Sequence, residues 1–404
     1  SGNDPGPCWS RCMNSPRKIC VVVGTRPEAI KMAPLYRTLC DDEGIEPILL
    51  ATGQHKELLD QTLAAFGLEP DVNLSLMKRG QSLAGLTGTA IQELAEYFAK
   101  TRPDAVLVQG DTTSVLAASI AAFYNRISVG HVEAGLRTGN LAAPWPEEMN
   151  RRLTAPICRW NFAPTELSHE NLLAENLPPE SCYVTGNTVV DALLWIRERL
   201  EQEQTPPEQL ATSIGIQKQF ADTYLGPNGN ERFLLVTAHR RESFGSGLEN
   251  LCNAILELTA AYPRLGIVLP VHLNPVVKET VTNYLTGKDR IELIDPVAYA
   301  EFVWLMQKCH FLISDSGGVQ EEAPTFGKPV LVTRDTTERP EGVTAGTTTL
   351  VGTTSANIVR CGAELMDDSA ECKKRSRLAN PYGDGLAAKR ICNILCERPM
   401  DLDL

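Results

Sequence analysis

Three acidic residues of this chain stand where a carboxylate could meet a ligand. Asp111 lies in Gly110-Asp111-Thr112-Thr113 and Glu133 in His131-Val132-Glu133-Ala134-Gly135-Leu136-Arg137, while Glu147 follows Pro144-Trp145-Pro146. The first two come at the ends of short apolar runs, and the third opens a helical pattern. Each has an ordinary structural role open to it as well: a helix N-cap for Asp111, complement to a helix dipole for Glu147. Delivered to one rim, however, like charges raise at least one pKa, which is what acid–base work near neutrality needs.

Cations and glycines recur at equivalent places. Gly24-Thr25-Arg26-Pro27-Glu28-Ala29-Ile30-Lys31 ends a strand and starts a helix, so free backbone N–H groups meet Arg26 and Lys31. Asp315-Ser316-Gly317-Gly318-Val319-Gln320-Glu321-Glu322 repeats the arrangement. There the paired glycines let backbone approach a phosphate, Ser316 can donate, and Glu322 could accept from ribose hydroxyls. A plain strand-to-helix turn and a capped helix start remain the alternatives. His239 follows a further strand with Arg240 and Arg241, and Arg339 follows another. Any single arginine could be a surface ion pair. Their recurrence at strand ends favours an anion pocket.

The elements that must position these groups show a strand–loop–helix rhythm. Strands are expected at Ile19–Val23, Pro47–Ala51, Asp104–Val108, Ser128–Glu133, Asn161–Ala163 and Tyr183–Thr185, with helices such as Gln54–Phe66, Leu83–Lys100, Thr113–Tyr124 and Glu147–Cys158 between them. Residues 201–230 break the rhythm and read as the connection into a second domain. It resumes at Phe233–Thr237, Gly266–Val271, Ile291–Ile294, Phe311–Ser314 and Pro329–Val332, with helices at Leu248–Tyr262 and Phe302–Lys308, and closes on a helix at Leu386–Cys396. Buried strands alternating with amphipathic helices make an α/β protein of two doubly wound, Rossmann-like domains. Such sheets bind ligands at the carboxyl ends of their strands.

Bulk composition narrows the class. At 404 residues, two domains are expected, and 43% hydrophobic against 22% charged content allows sizeable cores. The net charge of −12 argues against a general nucleic-acid partner, yet a cleft can be locally basic. No apolar run reaches the length of a membrane span, so a cytoplasmic protein is expected. Residues 1–18 read as a leader and not as a secretory signal, with Met13 a candidate start. Twelve cysteines are scattered without a C-x-x-C pair, which points to reduced, buried thiols and to no bound metal. No G-x-G-x-x-G follows a strand, so NAD is not expected, and no cofactor is called for.

Taken together, the segments GTRPEAIKMAPL, GDTTS, GHVEAGLRTG, PWPEEMNR, TGNTVVDAL, TAHRRESFG, PVHLNP, DSGGVQEEAP, RDTTERPEGV and NPYGDG resemble the non-hydrolysing UDP-N-acetylglucosamine 2-epimerases, in order from about Ile19 to Ile394. The resemblance implies the GT-B architecture of two domains across a deep cleft. The first domain would take 19–190 with a terminal helix over about 384–404, and the second, UDP-binding domain 191–383. It also implies a homodimer and reversible conversion of UDP-GlcNAc to UDP-ManNAc, supplying ManNAc units for bacterial-type surface polysaccharides. Asp111, Glu133 and Glu147, with His239, would then be catalytic. Arg26, Lys31, Arg151, His272, Ser316, Gly317, Gly318, Glu322 and Arg339 would hold the UDP-sugar. In some bacterial members a second UDP-GlcNAc acts as activator; Gln54, Gln81, Glu147 and His272 match positions implicated there, and Gln54, His55 and Gln81 are the candidate allosteric set. Glu57 and Gly80 depart from that pattern, replacing Gln and Arg, a change that weakens an anion's grip. A glycosyltransferase of the same fold and a hydrolysing epimerase are the competing readings.

Overall fold

A computed structural model of the protein describes residues 15–53, 56–76, 80–226, 231–239 and 245–398. They separate into two compact units, one within Ser1–Ala192 and Gly383–Leu404 and one within Leu193–Tyr382.

The first unit is built on seven parallel strands: β1 (Arg17–Val23), β2 (Ile45–Ala51), β3 (Val72–Asn73), β4 (Ala105–Gln109), β5 (Ser128–Val132), β6 (Trp160–Ala163) and β7 (Cys182–Val184), in the order β3-β2-β1-β4-β5-β6-β7. Side chains alternate across a strand, so each strand feeds two cores. Ile19, Val21 and Val23 of β1 face Met32 and Leu35 from the helix Arg26–Cys40 and Ile391 and Leu395 from the terminal helix Ala387–Leu395. Cys20 and Val22 face the opposite core, with Phe98 from Leu83–Thr101 and Val115 and Ala118 from Thr113–Tyr124. Both faces are covered, which accounts for the uninterrupted apolar run at Ile19–Val23. The strand begins two residues earlier than expected and reaches into the segment read as leader, because Arg17 and Lys18 pair in register with Ile45 and Glu46.

The second unit repeats the plan with six parallel strands: β8 (Phe233–Thr237), β9 (Gly266–Pro270), β10 (Ile291–Ile294), β11 (Leu312–Ser314), β12 (Val330–Val332) and β13 (Thr348–Leu350), ordered β10-β9-β8-β11-β12-β13. Residues 201–226 are more than a connection. A helix at Pro207–Ser213 and a turn at Ala221–Leu225 put Ala211, Ile216, Phe220 and Tyr224 against Phe233 and Leu235 of β8. Two short turns never show a helical stripe, so the apolar sidedness is invisible in the sequence.

In each sheet the strand order reverses once, between β1 and β4 in the first and between β8 and β11 in the second. The loops leaving those strands diverge there and open a crevice at their carboxyl ends. Among the described residues no helix is long and apolar enough to cross a membrane.

Candidate active site

The reversal point of the first sheet is lined by the loop after β1 and the loop after β4. Thr25 caps the first helix and Glu28 closes a reciprocal capping box, its Oε2 accepting from the backbone N–H of Gly24 at 2.5 Å and of Thr25 at 3.1 Å. Its other oxygen accepts from the Thr112 hydroxyl at 2.6 Å, which ties the two loops together. Glu28 is buried, and that burial pushes its carboxyl up to about 7. The T-x-x-E spacing of Thr25 and Glu28 is a capping signal legible in the sequence, though Glu28 is not among the expected site residues. Gly24 cannot carry a side chain, since a Cβ there would lie 2.7 Å from both Ser114 Oγ and Thr52 Oγ1.

After β4 the N-cap is Thr112, not Asp111, because the Thr112 side chain accepts from Val115 N. Asp111 is thereby released from the capping role that was its ordinary alternative. Its carboxylate receives Arg151 from two nitrogens, Nε at 2.9 Å and Nη2 at 2.7 Å, and its backbone carbonyl receives Asn150 at 2.8 Å. Arg151 is anchored behind by Glu148 at 3.2 Å. Glu148 is fully buried and also accepts from the backbone N–H groups of Thr138 and Gly139. It therefore straps the loop after β5 to the helix Glu147–Thr154.

Strand β5 stops at Val132, one residue short of expectation, and Glu133 takes a left-handed backbone with φ of 65°. Such a conformation costs a non-glycine residue of order 1–3 kcal/mol and persists where the surroundings over-determine it. Here they do: Lys31 Nζ donates to Glu133 Oε1 at 2.5 Å, Asn187 reaches the same oxygen at 3.4 Å, and Gln109 Nε2 donates to Oε2. The side chains of Lys31 and Glu133 are about nine-tenths buried, so this pair is fixed and not a mobile surface bridge. His131, two residues earlier, is buried and pushed down to about 4 by that burial, hence neutral, with Nε2 2.7 Å from Gly110 O. Glu147 is half-buried at the first turn of its helix and makes no hydrogen bond or ion pair among the described residues. Arg26 likewise has no ion pair among them. Spacing singles out Asp111, Glu133 and Lys31, the family resemblance adds Arg151, and the structure pairs them two by two. Gln109, Glu148 and Asn187 escape such a reading, because nothing in their spacing distinguishes them from ordinary polar residues.

At the reversal point of the second sheet, Asp315 directly follows β11 and is fully buried. It accepts from the backbone N–H of His239 at 2.9 Å, and its Oδ1 lies 2.7 Å from His239 Nδ1. The imidazole is thus held at Nδ1 while its side chain stays 41% exposed. His272 is exposed, its ring centroid 6.3 Å from that of His239. Ser316 caps the helix Gly317–Glu322 and accepts from Val319 N at 3.5 Å.

The paired glycines differ in their surroundings. A Cβ on Gly317 would lie 2.8 Å from the Arg339 guanidinium, whereas one on Gly318 would meet nothing closer than Ser316 Oγ at 3.8 Å. Gly317 therefore makes room for Arg339, whose Nε and Nη1 pair with Glu321 and Glu338 at 2.8 and 2.9 Å. Glu322 is buried and accepts from the Tyr299 hydroxyl at 2.9 Å. Arg240 and Arg241 lie outside the described residues, as do Gln54 and His55. Gln81 is half-buried just ahead of the helix Leu83–Thr101, and neighbouring Gly80 is exposed with φ of 79°. Of the candidate allosteric set, then, Gln81 alone can be placed.

Residues 37–396 match the family model described as UDP-N-acetylglucosamine 2-epimerase. The chain is 50% identical to the UDP-N-acetylglucosamine 2-epimerase of Salmonella typhimurium, over 94% of this chain and 98% of that one. Among solved structures it is similar to the UDP-GlcNAc 2-epimerase from Neisseria meningitidis bound to UDP-GlcNAc, at 47% identity, a TM-score of 0.84, and coverage of 94% of this chain and 100% of that chain. It is also similar to the Methanocaldococcus jannaschii enzyme in complex with UDP-GlcNAc and UDP, at 32% identity, a TM-score of 0.75, and coverage of 94% and 99%.

Proposed function

This chain belongs to the UDP-N-acetylglucosamine 2-epimerase family of isomerases, and we propose that it interconverts UDP-GlcNAc and UDP-ManNAc without net hydrolysis. The observation that carries the reading is the pair of fixed carboxylates at the first sheet's reversal point, Glu133 clasped by Lys31 and Gln109, and Asp111 by Arg151. The sugar's C2–H has no neighbouring carbonyl, so direct deprotonation would leave an unstabilised carbanion. Departure of UDP from C1 develops oxocarbenium character and acidifies that hydrogen. A carboxylate then removes it, giving 2-acetamidoglucal and UDP. UDP adds back to C1 while a proton reaches the other face of C2, and the centre is inverted.

Two faces call for separate proton carriers, which is why more than one carboxylate is useful. We assign the proton transfers to Asp111, Glu133 and Glu147, and their division of labour is a property of the set. Arg26, Lys31 and Arg151 supply positive charge on the first unit. On the second, His239 aimed by Asp315, the Ser316 loop and Arg339 engage the diphosphate, whose charge rises as it leaves. Glu322 and His272 complete that nucleotide set. Arg339 is held in place for that contact by Glu321 and Glu338. The family resemblance extends to a homodimer, and Phe123 and Tyr124, 58% and 73% exposed on a helix packed beside Met149 and Leu153, offer an apolar face for it.

Product analysis tests the reading. Incubation with UDP-GlcNAc should give a stable mixture with UDP-ManNAc and no accumulation of free UDP. Free ManNAc released together with UDP would identify the hydrolysing reaction instead. UDP release seen only when an acceptor sugar is present would identify a glycosyltransferase.

A further inference from the structure

The segment NPYGDG contributes no residue to the proposed chemistry, yet two of its side chains reach the loops assigned to the nucleotide. Asn380 and Tyr382 end the second unit, and the chain returns to the first at Gly383. The Asn380 amide donates to the backbone carbonyl of Glu321 at 2.9 Å and to the Thr325 hydroxyl at 2.8 Å, and its oxygen accepts from Tyr382 N at 3.0 Å. Tyr382 is buried, and its hydroxyl donates to the backbone carbonyl of Arg339 at 3.2 Å while accepting from Gly342 N at 3.1 Å. Burial pushes the phenol above its ordinary range, so it keeps the proton it donates.

Those two carbonyls belong to the two partners of one ion pair, since Arg339 Nε donates to Glu321 Oε1 at 2.8 Å. The tripeptide Asn380-Pro381-Tyr382 thus holds the main chain behind both the guanidinium and the carboxylate that aims it. Arg339 is fixed on its other side too. Its backbone N–H donates to Thr337 Oγ1 at 3.1 Å, and that hydroxyl donates to Gln320 Oε1 at 2.7 Å. Gln320 is fully buried and donates in turn to the Ser316 carbonyl at 3.1 Å. A buried tyrosine could serve the core alone, but phenylalanine would fill that space equally. It would leave the Arg339 carbonyl and the Gly342 N–H without this partner. Gly342 makes room for the hydroxyl, because a Cβ there would lie 3.2 Å from it and 2.9 Å from Thr348 Oγ1.

We propose that Tyr382, with Asn380, is a positioning residue for diphosphate binding: it fixes the loop after β12 so that the Arg339 guanidinium stands beside Gly317. A long, flexible side chain grips an anion well only where its fork is held beforehand, and held hydrogen bonds behind the contact supply that. The proposal rests on the assignment of Arg339 to the diphosphate.

Titration calorimetry with UDP tests it, on the full chain and on Tyr382→Phe, Arg339→Ala and the two combined. Arg339→Ala should weaken UDP binding about a hundredfold and Tyr382→Phe about tenfold. Because the tyrosine acts through the arginine, Tyr382→Phe should change nothing further once Arg339 is alanine. A Tyr382→Phe protein that unfolds earlier in urea yet binds UDP as the parent does would leave the hydroxyl a structural role and overturn the proposal; loss of affinity in Arg339→Ala would then still support the diphosphate assignment. A tenfold effect that persists without Arg339 would overturn the proposal as well. Full UDP affinity in Arg339→Ala would overturn both the proposal and the assignment. Asn380→Ala should behave like Tyr382→Phe, and its UDP affinity decides the matter if Tyr382→Phe does not fold.

Discussion

Asp111, Glu133 and Glu147 occupy three unlike settings: one held by an arginine, one by a lysine and two amides, one without partners among the described residues. Asp111→Asn, Glu133→Gln and Glu147→Gln should each lower turnover of UDP-GlcNAc by about a hundredfold or more while leaving the fold intact. Full activity in any one would remove that residue from the set. Glu28 gives a separate, pH-dependent signature. Its carboxyl rises from 4.5 to about 7 on folding, so the folded state binds the proton more tightly than the unfolded chain. That contribution to stability is present below about 4.5 and is lost as the pH rises through about 7. Urea midpoints measured across this window should therefore fall less steeply with pH in Glu28→Gln than in the parent. An unchanged slope would contradict the buried, neutralised carboxyl. Asp111, Glu133 and Lys31 are legible in the sequence because each stands at a strand end with an unusual neighbour. Glu148 and Asp315 are not, because a buried carboxylate that orients another side chain looks in sequence like any solvated acid.

At the scale of elements, glycines decide which turns are possible. Gly135 has φ of 91°, and a Cβ there would lie 2.1 Å from the backbone carbonyl of Ser168. Gly135→Ala should cost about 2 kcal/mol or more, since backbone cannot yield as a side-chain tip can. Gly88, inside the helix Leu83–Thr101 with nothing within 4 Å of its Cβ position, gives the opposite expectation. Gly88→Ala should stabilise by about 0.5–1 kcal/mol. Denaturant unfolding of both variants checks the pair, and equal effects would contradict the local account. The terminal helix is docked by a cap from a distant element, Asp191 accepting from Ala387 N at 3.3 Å and Ala388 N at 2.9 Å. Long buried strands such as Ile19–Val23 are readable because a short apolar run stopped by glycine is too brief for a helix and too apolar for a loop. Strands of two or three residues, such as Val72–Asn73 and Thr348–Leu350, are not: at that length pairing with a neighbouring strand, not periodicity, makes the element.

For the whole molecule, both units place candidate site residues where strand order reverses. The first holds two fixed carboxylates there and the second a buried aspartate behind a histidine. The repeated rhythm of strands and helices makes this plan visible in advance, but strand order is not, because it depends on which strands pair across long stretches of chain. The most direct measurement is proton NMR of UDP-GlcNAc incubated with the enzyme in D2O. Elimination and re-addition predict loss of the C2 proton signal from both UDP-GlcNAc and UDP-ManNAc as solvent deuterium is delivered to C2. Retention of hydrogen at C2 in UDP-ManNAc formed in D2O would contradict proton removal by these carboxylates and with it the elimination mechanism.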